Sequence, residues 1–324
     1  MSEYGSTDIC IASNSSIRKL TGSIRCTNKV LFVATVYTHL SAFHIPFMRL
    51  LKKWGYEVHS AASPAEGGMD SIASEGAICW SISFSRSPFS YKNIGAVRQL
   101  RSLIKDNCYD LIHVHTPVAA WLSRYAMRRR KQGKLLYTAH GFHFSDSSHG
   151  LRNFVYYALE LIAARWTNAL IVINSEDYLH GQRLGFKTSE NLFLVPGVGV
   201  DLKKYDAPTI DRSLFKRSLE LPEGSIIVTC VAELTREKNQ LQLLEAWKIV
   251  ADRVPRVYLL LVGNGSYRAK IEHKLYSQGI PRVRLLGYRR DIANILAATD
   301  PVSYTHLRAH ETVLDLVCRL LLEK

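Results

Sequence analysis

The sequence predicts an α/β chain of two Rossmann-like, doubly wound parallel-sheet units, the second one truncated, on three observations. Short, continuous apolar runs alternate with longer amphipathic segments over 29–195. That rhythm breaks at Pro196-Gly197-Val198-Gly199-Val200-Asp201 and a polar stretch over 203–213, then resumes over 225–299. The length, 324 residues, accommodates about two domains at ~150 residues each. Strands that are apolar throughout belong in a sheet covered on both faces, which helix crossovers between parallel strands provide.

The first strand is expected over 29–36. A helix over 42–54 follows, and Gly55 ends it, because glycine tolerates the left-handed backbone that closes a helix. Further strands are expected at 56–61, 77–83, 110–113, 134–139, 169–173 and 191–195, with helices at 92–106, 117–131, 151–166 and 175–184. In the second unit, strands at 225–231, 257–262 and 282–286 alternate with helices at 240–253, 267–278 and 291–299. The expected organisation is a loose or mis-assigned tail at 1–28, a first domain at 29–202, a linker at 203–213, an incomplete second domain at 214–300 and an extraneous tail at 301–324. A cleft between two such domains is a common place for a ligand.

Composition narrows the function. A formal charge of +14 points to an anionic partner: nucleotide, phosphate, nucleic acid or membrane surface. No aromatic-interleaved basic motif supports nucleic acid, so none is expected as a partner. No apolar run approaches the ~18 residues that span a bilayer, and the first 28 residues lack the apolar core of a signal peptide. The six cysteines include no C-x-x-C pair, which fits a reduced, cytoplasmic setting.

The end of the chain is set aside. His306 and His310 lie four apart, as metal-binding pairs on helices do. However, segment 302–312 back-translates to a sequence similar to the read-through of a transposase-type sequencing adapter, and 316–324 to the end of the same adapter. The gene product is therefore expected to continue past Asp300.

The most informative stretch is Tyr137-Thr138-Ala139-His140-Gly141-Phe142-His143-Phe144. It joins the end of an expected strand to an expected helix, where an open α/β sheet places ligand chemistry. Gly141 permits a sharp turn or close ligand approach. A satisfied loop histidine is the competing reading of His140. Two later loops also run from strand to helix. Val262-Gly263-Asn264-Gly265-Ser266 suits either an anion at a helix N-terminus or a tight turn. In 232–240, Arg236 and Lys238 are placed to meet a phosphate, or to form a solvated basic loop.

Taken in order, the Thr-Ala-His-Gly-Phe-His-Phe loop, Asn174-Ser175-Glu176, the Pro-Gly-Val-Gly-Val-Asp turn, Glu233-Leu234 with Lys238-Asn239, Val-Gly-Asn-Gly and Leu286-Gly287-Tyr288-Arg289 resemble family 4 retaining glycosyltransferases of the GT-B fold. The resemblance is to bacterial exopolysaccharide and capsule enzymes of the EpsD type, and it covers about 29–300. It implies transfer of a sugar from a nucleotide-sugar donor to a lipid-linked saccharide, without a cofactor or metal; there is no Asp-x-Asp pair either. It implies that His140 lies near the transferred sugar and that Lys238 holds the donor diphosphate. Gly263 and Gly265 would border the nucleotide pocket, with Leu286, Tyr288 and Arg289 beside the base. His39 and His143 would face the acceptor.

Two departures stand out. Many members carry Arg where Glu233 stands, which leaves the leaving-group charge to Arg236 or to Lys238 alone. The pair of glutamates eight positions apart that follows in members is not in the chain, so transfer by these 324 residues is not expected. Basic residues recur at helical spacing: Arg98, Arg101 and Lys105 on one helix, and Arg124, Arg128 and Lys131 on the next. They are expected to face an anionic membrane from the cytoplasmic side. A GT-B nucleotide-sugar epimerase and a non-catalytic nucleotide- or lipid-binding module are the alternatives.

Overall fold

A computed structural model describes residues 28–300 except 89, 130–132, 146–149, 196, 198, 200–210 and 237. The expected N-terminal tail up to 27, the linker up to 210, Lys131 and the tail from 301 lie outside the described residues. Contacts divide the chain into two units, Met1–Gly199 and Val200–Lys324.

The first unit is built on a seven-stranded, all-parallel sheet. Its strands are β1 (Lys29–Val36), β2 (Glu57–Ser63), β3 (Ile78–Ser81), β4 (Leu111–Val114), β5 (Lys134–Ala139), β6 (Ala169–Val172) and β7 (Leu192–Leu194), in the order β3-β2-β1-β4-β5-β6-β7. β1 shows why the run is apolar throughout. Leu31 and Val33 point into a core with Leu100, Ile104 and Ala119, while Val30, Phe32 and Ala34 point into the opposite core with Leu40 and Met48. Successive side chains alternate between faces, and both faces are covered. Each such leucine or phenylalanine contributes about 1.5–3 kcal/mol by leaving water.

The expected helix at 42–54 is in fact two, α1 (Tyr37–Phe43) and α2 (Ile45–Lys53). Pro46 sits in the first turn of α2. It has no N–H to continue the preceding helix, and its ring crowds the previous turn, so the chain breaks at His44. α3 (Met69–Ala73), α4 (Lys92–Asn107), α5 (Pro117–Met127), α6 (Leu151–Ala164) and α7 (Ser175–Arg183) complete the unit. α7 starts where Asn174 accepts from the Asp177 amide at 2.8 Å, an N-cap that satisfies one otherwise unpaired donor.

The second unit begins inside the expected linker, with α8 (Arg212–Ser218) capped by Asp211. Arg212 donates to the carbonyls of Ala297 (3.0 Å) and Thr299 (2.9 Å), so these linker residues belong to the folded unit. β8 (Ile226–Val231), β9 (Val257–Val262) and β10 (Val283–Gly287) pair in parallel in the order β10-β9-β8. α9 (Gln240–Arg253), α10 (Arg268–Ser277) and α11 (Ile292–Ala298) follow them in turn. Leu259 and Leu261 face one core, Leu260 and Val262 the other.

One expectation is corrected outright. Arg124 is not on a membrane-facing surface; it is 1% exposed. Helix α6 covers this side of α5, and Glu160 meets the guanidinium with two parallel hydrogen bonds of 2.7 and 2.8 Å. The guanidinium also stacks over Tyr137 of β5, 4.3 Å from the ring centre. Helical spacing placed Arg124 on a basic stripe, but the stripe does not tell which helix packs over it. Removing one partner of a buried pair strands the other charge. Arg124→Ala is expected to lower stability by ~3 kcal/mol in urea unfolding, and the double variant Arg124→Met/Glu160→Met by clearly less than that.

Candidate functional site

The site begins with the winding of the first sheet. The chain runs from β1 outward to β3, then returns to the other side of β1 as β4. In a parallel sheet the ends of the two strands where winding reverses leave a crevice between their loops. Here that crevice is filled by histidines. β1 leads into α1 and His39, and then to the α1–α2 break at His44. β4 is followed by His115, and β5 by His140.

These rings are in mutual contact. His44 and His115 stack with centroids 3.7 Å apart, His39 meets His140 edge-on at 4.8 Å, and His39 lies 5.3 Å from His44. His44 and His115 are buried, whereas His39 and His140 are half-buried. Burial disfavours the charged form of each ring, and for His39, His44 and His115 the neighbouring histidines add to the effect. It brings His39 down to about 4 and His44 to about 2, and it holds His115 and His140 below the ordinary histidine range. The cluster is therefore neutral at physiological pH, able to donate or accept a hydrogen bond or to ligate a metal. His113 sits beside it, but its Nε2 is paired with Thr138 Oγ1 at 2.8 Å.

The backbone behind the cluster is strained. Thr116 has φ 60°, an outlier for a β-branched residue. Its hydroxyl accepts from the Thr35 amide at 2.9 Å, holding the β4 loop against β1. Such strain concentrates where a functional geometry is over-determined. The sequence reading singled out His39 and His140 but missed His44, His115 and Thr116. Histidines after successive apolar runs were the available signal; the adjacency of β1 and β4 gives it meaning.

His143 stands apart, exposed on the surface with its ring 5.6 Å from Tyr156. The basic helices divide similarly. Arg98 and Lys105 are exposed, while the Arg101 and Arg128 guanidinium groups lie 5.1 and 3.8 Å from the Tyr125 ring centre. Arg101, Arg128 and Arg129 line a shallow depression with Ala126.

The second unit brings its expected residues to one edge of its sheet. Arg236 and Lys238 follow β8, Gly263 and Gly265 follow β9, and Tyr288 and Arg289 follow β10. Arg236 and Tyr288 are exposed, and Lys238 is half-buried just before the α9 cap residue, Asn239. Leu286 packs against the small core around Leu260. Arg289 is held by Asp291 through two hydrogen bonds, 2.8 and 2.6 Å.

The glycine turn has a structural explanation. Leu234 N–H donates to Asn264 O at 3.0 Å, and Tyr267 N–H to Leu234 O at 2.9 Å, so the loops after β8 and β9 lie against one another. Gly263 N–H donates to Gly287 O at 2.8 Å, and Gly265 N–H to Asn264 Oδ1 at 3.0 Å. These amides are spent within the protein. The close approach of the two loops therefore accounts for glycine at both positions.

Comparison with known proteins agrees across both units. Residues 29–174 match the family model described as glycosyl transferase 4-like, and 211–311 that of glycosyl transferases group 1. The chain is 34% identical over 281 residues to EpsD of Bacillus subtilis (strain 168), a glycosyltransferase by its name; this spans 85% of the chain and 71% of EpsD. It is 31% identical over 224 residues to the UDP-Gal:alpha-D-GlcNAc-diphosphoundecaprenol alpha-1,3-galactosyltransferase of Escherichia coli, spanning 66% of the chain and 57% of that protein. Anabaena HepE, solved in complex with UDP and glucose, is similar in fold with a TM-score of 0.67 at 20% identity, covering 85% of this chain and 73% of HepE. The fold is that of the GT-B glycosyltransferases.

A Cβ added at Gly263 would collide with the Ala232 carbonyl, and one at Gly265 with the Leu234 carbonyl, both at positive φ. Gly263→Ala is expected to destabilise the second unit by ~2 kcal/mol or more. Gly279→Ala, also at positive φ but with open space around it, is expected to cost less, as thermal unfolding of the two variants would show.

Proposed function

The chain belongs to the glycosyltransferases of the 4-like and group 1 families, and from that premise we propose that the enzyme expressed from its complete source gene transfers a hexose, with retention, from a nucleotide sugar to a lipid-linked saccharide in exopolysaccharide or capsule synthesis. The observation that carries this reading is the position of His140 at the end of β5, its ring 4.8 Å from that of His39 beside the switch point of the first sheet, where a carbohydrate hydroxyl can meet a neutral imidazole. The relatives support these substrate classes: one is named for a UDP-sugar donor and a diphosphoundecaprenol-linked acceptor, and another was solved with UDP and glucose.

Breaking the sugar–phosphate bond releases a nucleoside diphosphate, whose growing charge must be stabilised in the transition state. Lys238, beside the N-terminal end of α9, supplies a cation there, with Arg236 exposed nearby. The acceptor hydroxyl attacks from the leaving-group side and passes its proton to the departing diphosphate. His140 orients or polarises and does not become covalently attached. No metal takes part at the diphosphate in this scheme. In enzyme expressed from the complete source gene, His140→Ala is expected to abolish transfer while UDP binding stays within about twofold. Lys238→Ala is expected to lower kcat/KM about 100-fold or more. Wild-type turnover by either variant would remove that residue from the mechanism.

The lipid acceptor implies a membrane surface, and the exposed face of α6 suits one. Leu151 is 79% and Phe154 67% exposed, and Val155, Leu161 and Ile162 are exposed with them. Arg152 and Arg165 flank these apolar residues and are exposed too. Apolar residues edged by arginine on one helix are the pattern of an interfacial helix, and the arginine-lined depression between α4 and the end of α5 adds attraction to anionic headgroups. The protein would work as a peripheral enzyme at the cytoplasmic face; no helix among the described residues is long and apolar enough to cross a membrane. Sedimentation with anionic vesicles at low salt should retain the protein. Phe154→Asp/Ile162→Asp should release it, and equal binding to neutral vesicles would count against the reading.

A further inference from the structure

The histidine cluster holds more unpaired nitrogen than a sugar-orienting site requires. His44 and His115 are 3% and 0% exposed. Among the described residues, neither nitrogen of either ring has a hydrogen-bond partner, nor does Nε2 of His39 or of His140. A neutral imidazole always presents one donor and one acceptor, and leaving such a group buried and unpaired costs about 1–3 kcal/mol. A folded protein that gathers several of them against one another gains if something else bonds the lone pairs. One nitrogen from each of His39, His44, His115 and His140 lies within 4.8 Å of the others.

From this geometry we propose that His39, His44, His115 and His140 together bind one transition-metal ion of the zinc class. All four donors are imidazole, a set that suits Zn2+, Co2+, Ni2+ or Cu2+ and not the oxygen-seeking Mg2+ or Ca2+. The low intrinsic basicity conferred by burial keeps the rings neutral and their lone pairs available at physiological pH. At zinc–nitrogen bonds of ~2.0–2.1 Å, tetrahedral ligand nitrogens stand about 3.3 Å apart. The present nitrogens, within 4.8 Å of one another, must draw together for that, and His39 and His140 are the rings of the set that are not fully enclosed. His113, whose Nε2 is already bonded to Thr138, stays outside the set.

His39 lies in α1 and His44 at its end, while His115 and His140 follow β4 and β5, so one ion would pin the segments after β1, β4 and β5 together. The expectation of a metal-free protein, implied by the resemblance and joined by the missing Asp-x-Asp pair, concerns an ion at the donor diphosphate and not one held by these imidazoles. The proposal does not rest on the transferase reading, since metal binding is measured without donor or acceptor.

The test is titration of the chelator-treated, desalted full chain with Co2+ alone, followed by Zn2+. The expected result is one Co2+ per chain with the intense visible bands of tetrahedral cobalt, bleached by Zn2+, and a raised thermal midpoint. His39→Ala, at a half-buried position, and His115→Gln are each expected to weaken Zn2+ binding about tenfold or more. His143→Ala, on the surface, should leave it unchanged. Absence of a saturating one-to-one signal in the wild-type chain would overturn the proposal, and that readout stands even if a buried variant fails to fold. Binding that persists undiminished in folded His39→Ala, or that is lost equally in His143→Ala, would overturn it as well.

Discussion

The first unit depends on the parallel pairing of β1 with β4, Val30 opposite Leu111 through Val33 opposite Val114. With β2 on its other side, β1 is hydrogen-bonded along both edges and buried on both faces. The chain must leave it in one direction and return on the other, since each parallel neighbour needs a crossover. That reversal brings the C-terminal ends of β1, β4 and β5 side by side. Everything chemically notable in this unit (the four packed histidines, the strained Thr116 and the loop of His140) stands on those ends.

Rigidity around the site comes from several small devices. The Arg124–Glu160 pair joins α5 to α6 and stacks on Tyr137 of β5, the strand that leads into His140. Thr35 and Thr116 tie the β1 and β4 ends together. Tyr37, at the start of α1, donates its hydroxyl to the Ser60 carbonyl at 3.1 Å and so fixes that helix against β2. A histidine pushed into its neutral form is useful only where its position is held, because a mobile ring would turn toward water and regain its ordinary basicity.

The second unit solves its geometry differently. Its three strand-end loops are bonded to one another through backbone groups, and glycine is required because two chains pass within van der Waals distance. Its charged residues, Arg236, Lys238 and Arg289, sit on these loops near the helix starts. The loops are therefore held together by backbone contacts, and these charged side chains stand on them.

The sequence by itself determined the class of fold, nearly every strand and the order of the motifs. Apolar runs bounded by glycine and polar turns leave few alternatives at that level; 240–253 and 257–262 are found with their expected bounds. Pro46 also carried, unread, the break that turns His44 inward. Only the tertiary structure decided which strands are neighbours, and with that which histidines meet. It also decided that Arg124 is an interior ion-pair partner while α6, read simply as an amphipathic helix, leaves large apolar side chains in water. Periodicity marks which residues share a face. It carries no information about what, if anything, lies across from that face, because that is fixed by contacts between segments far apart in the chain.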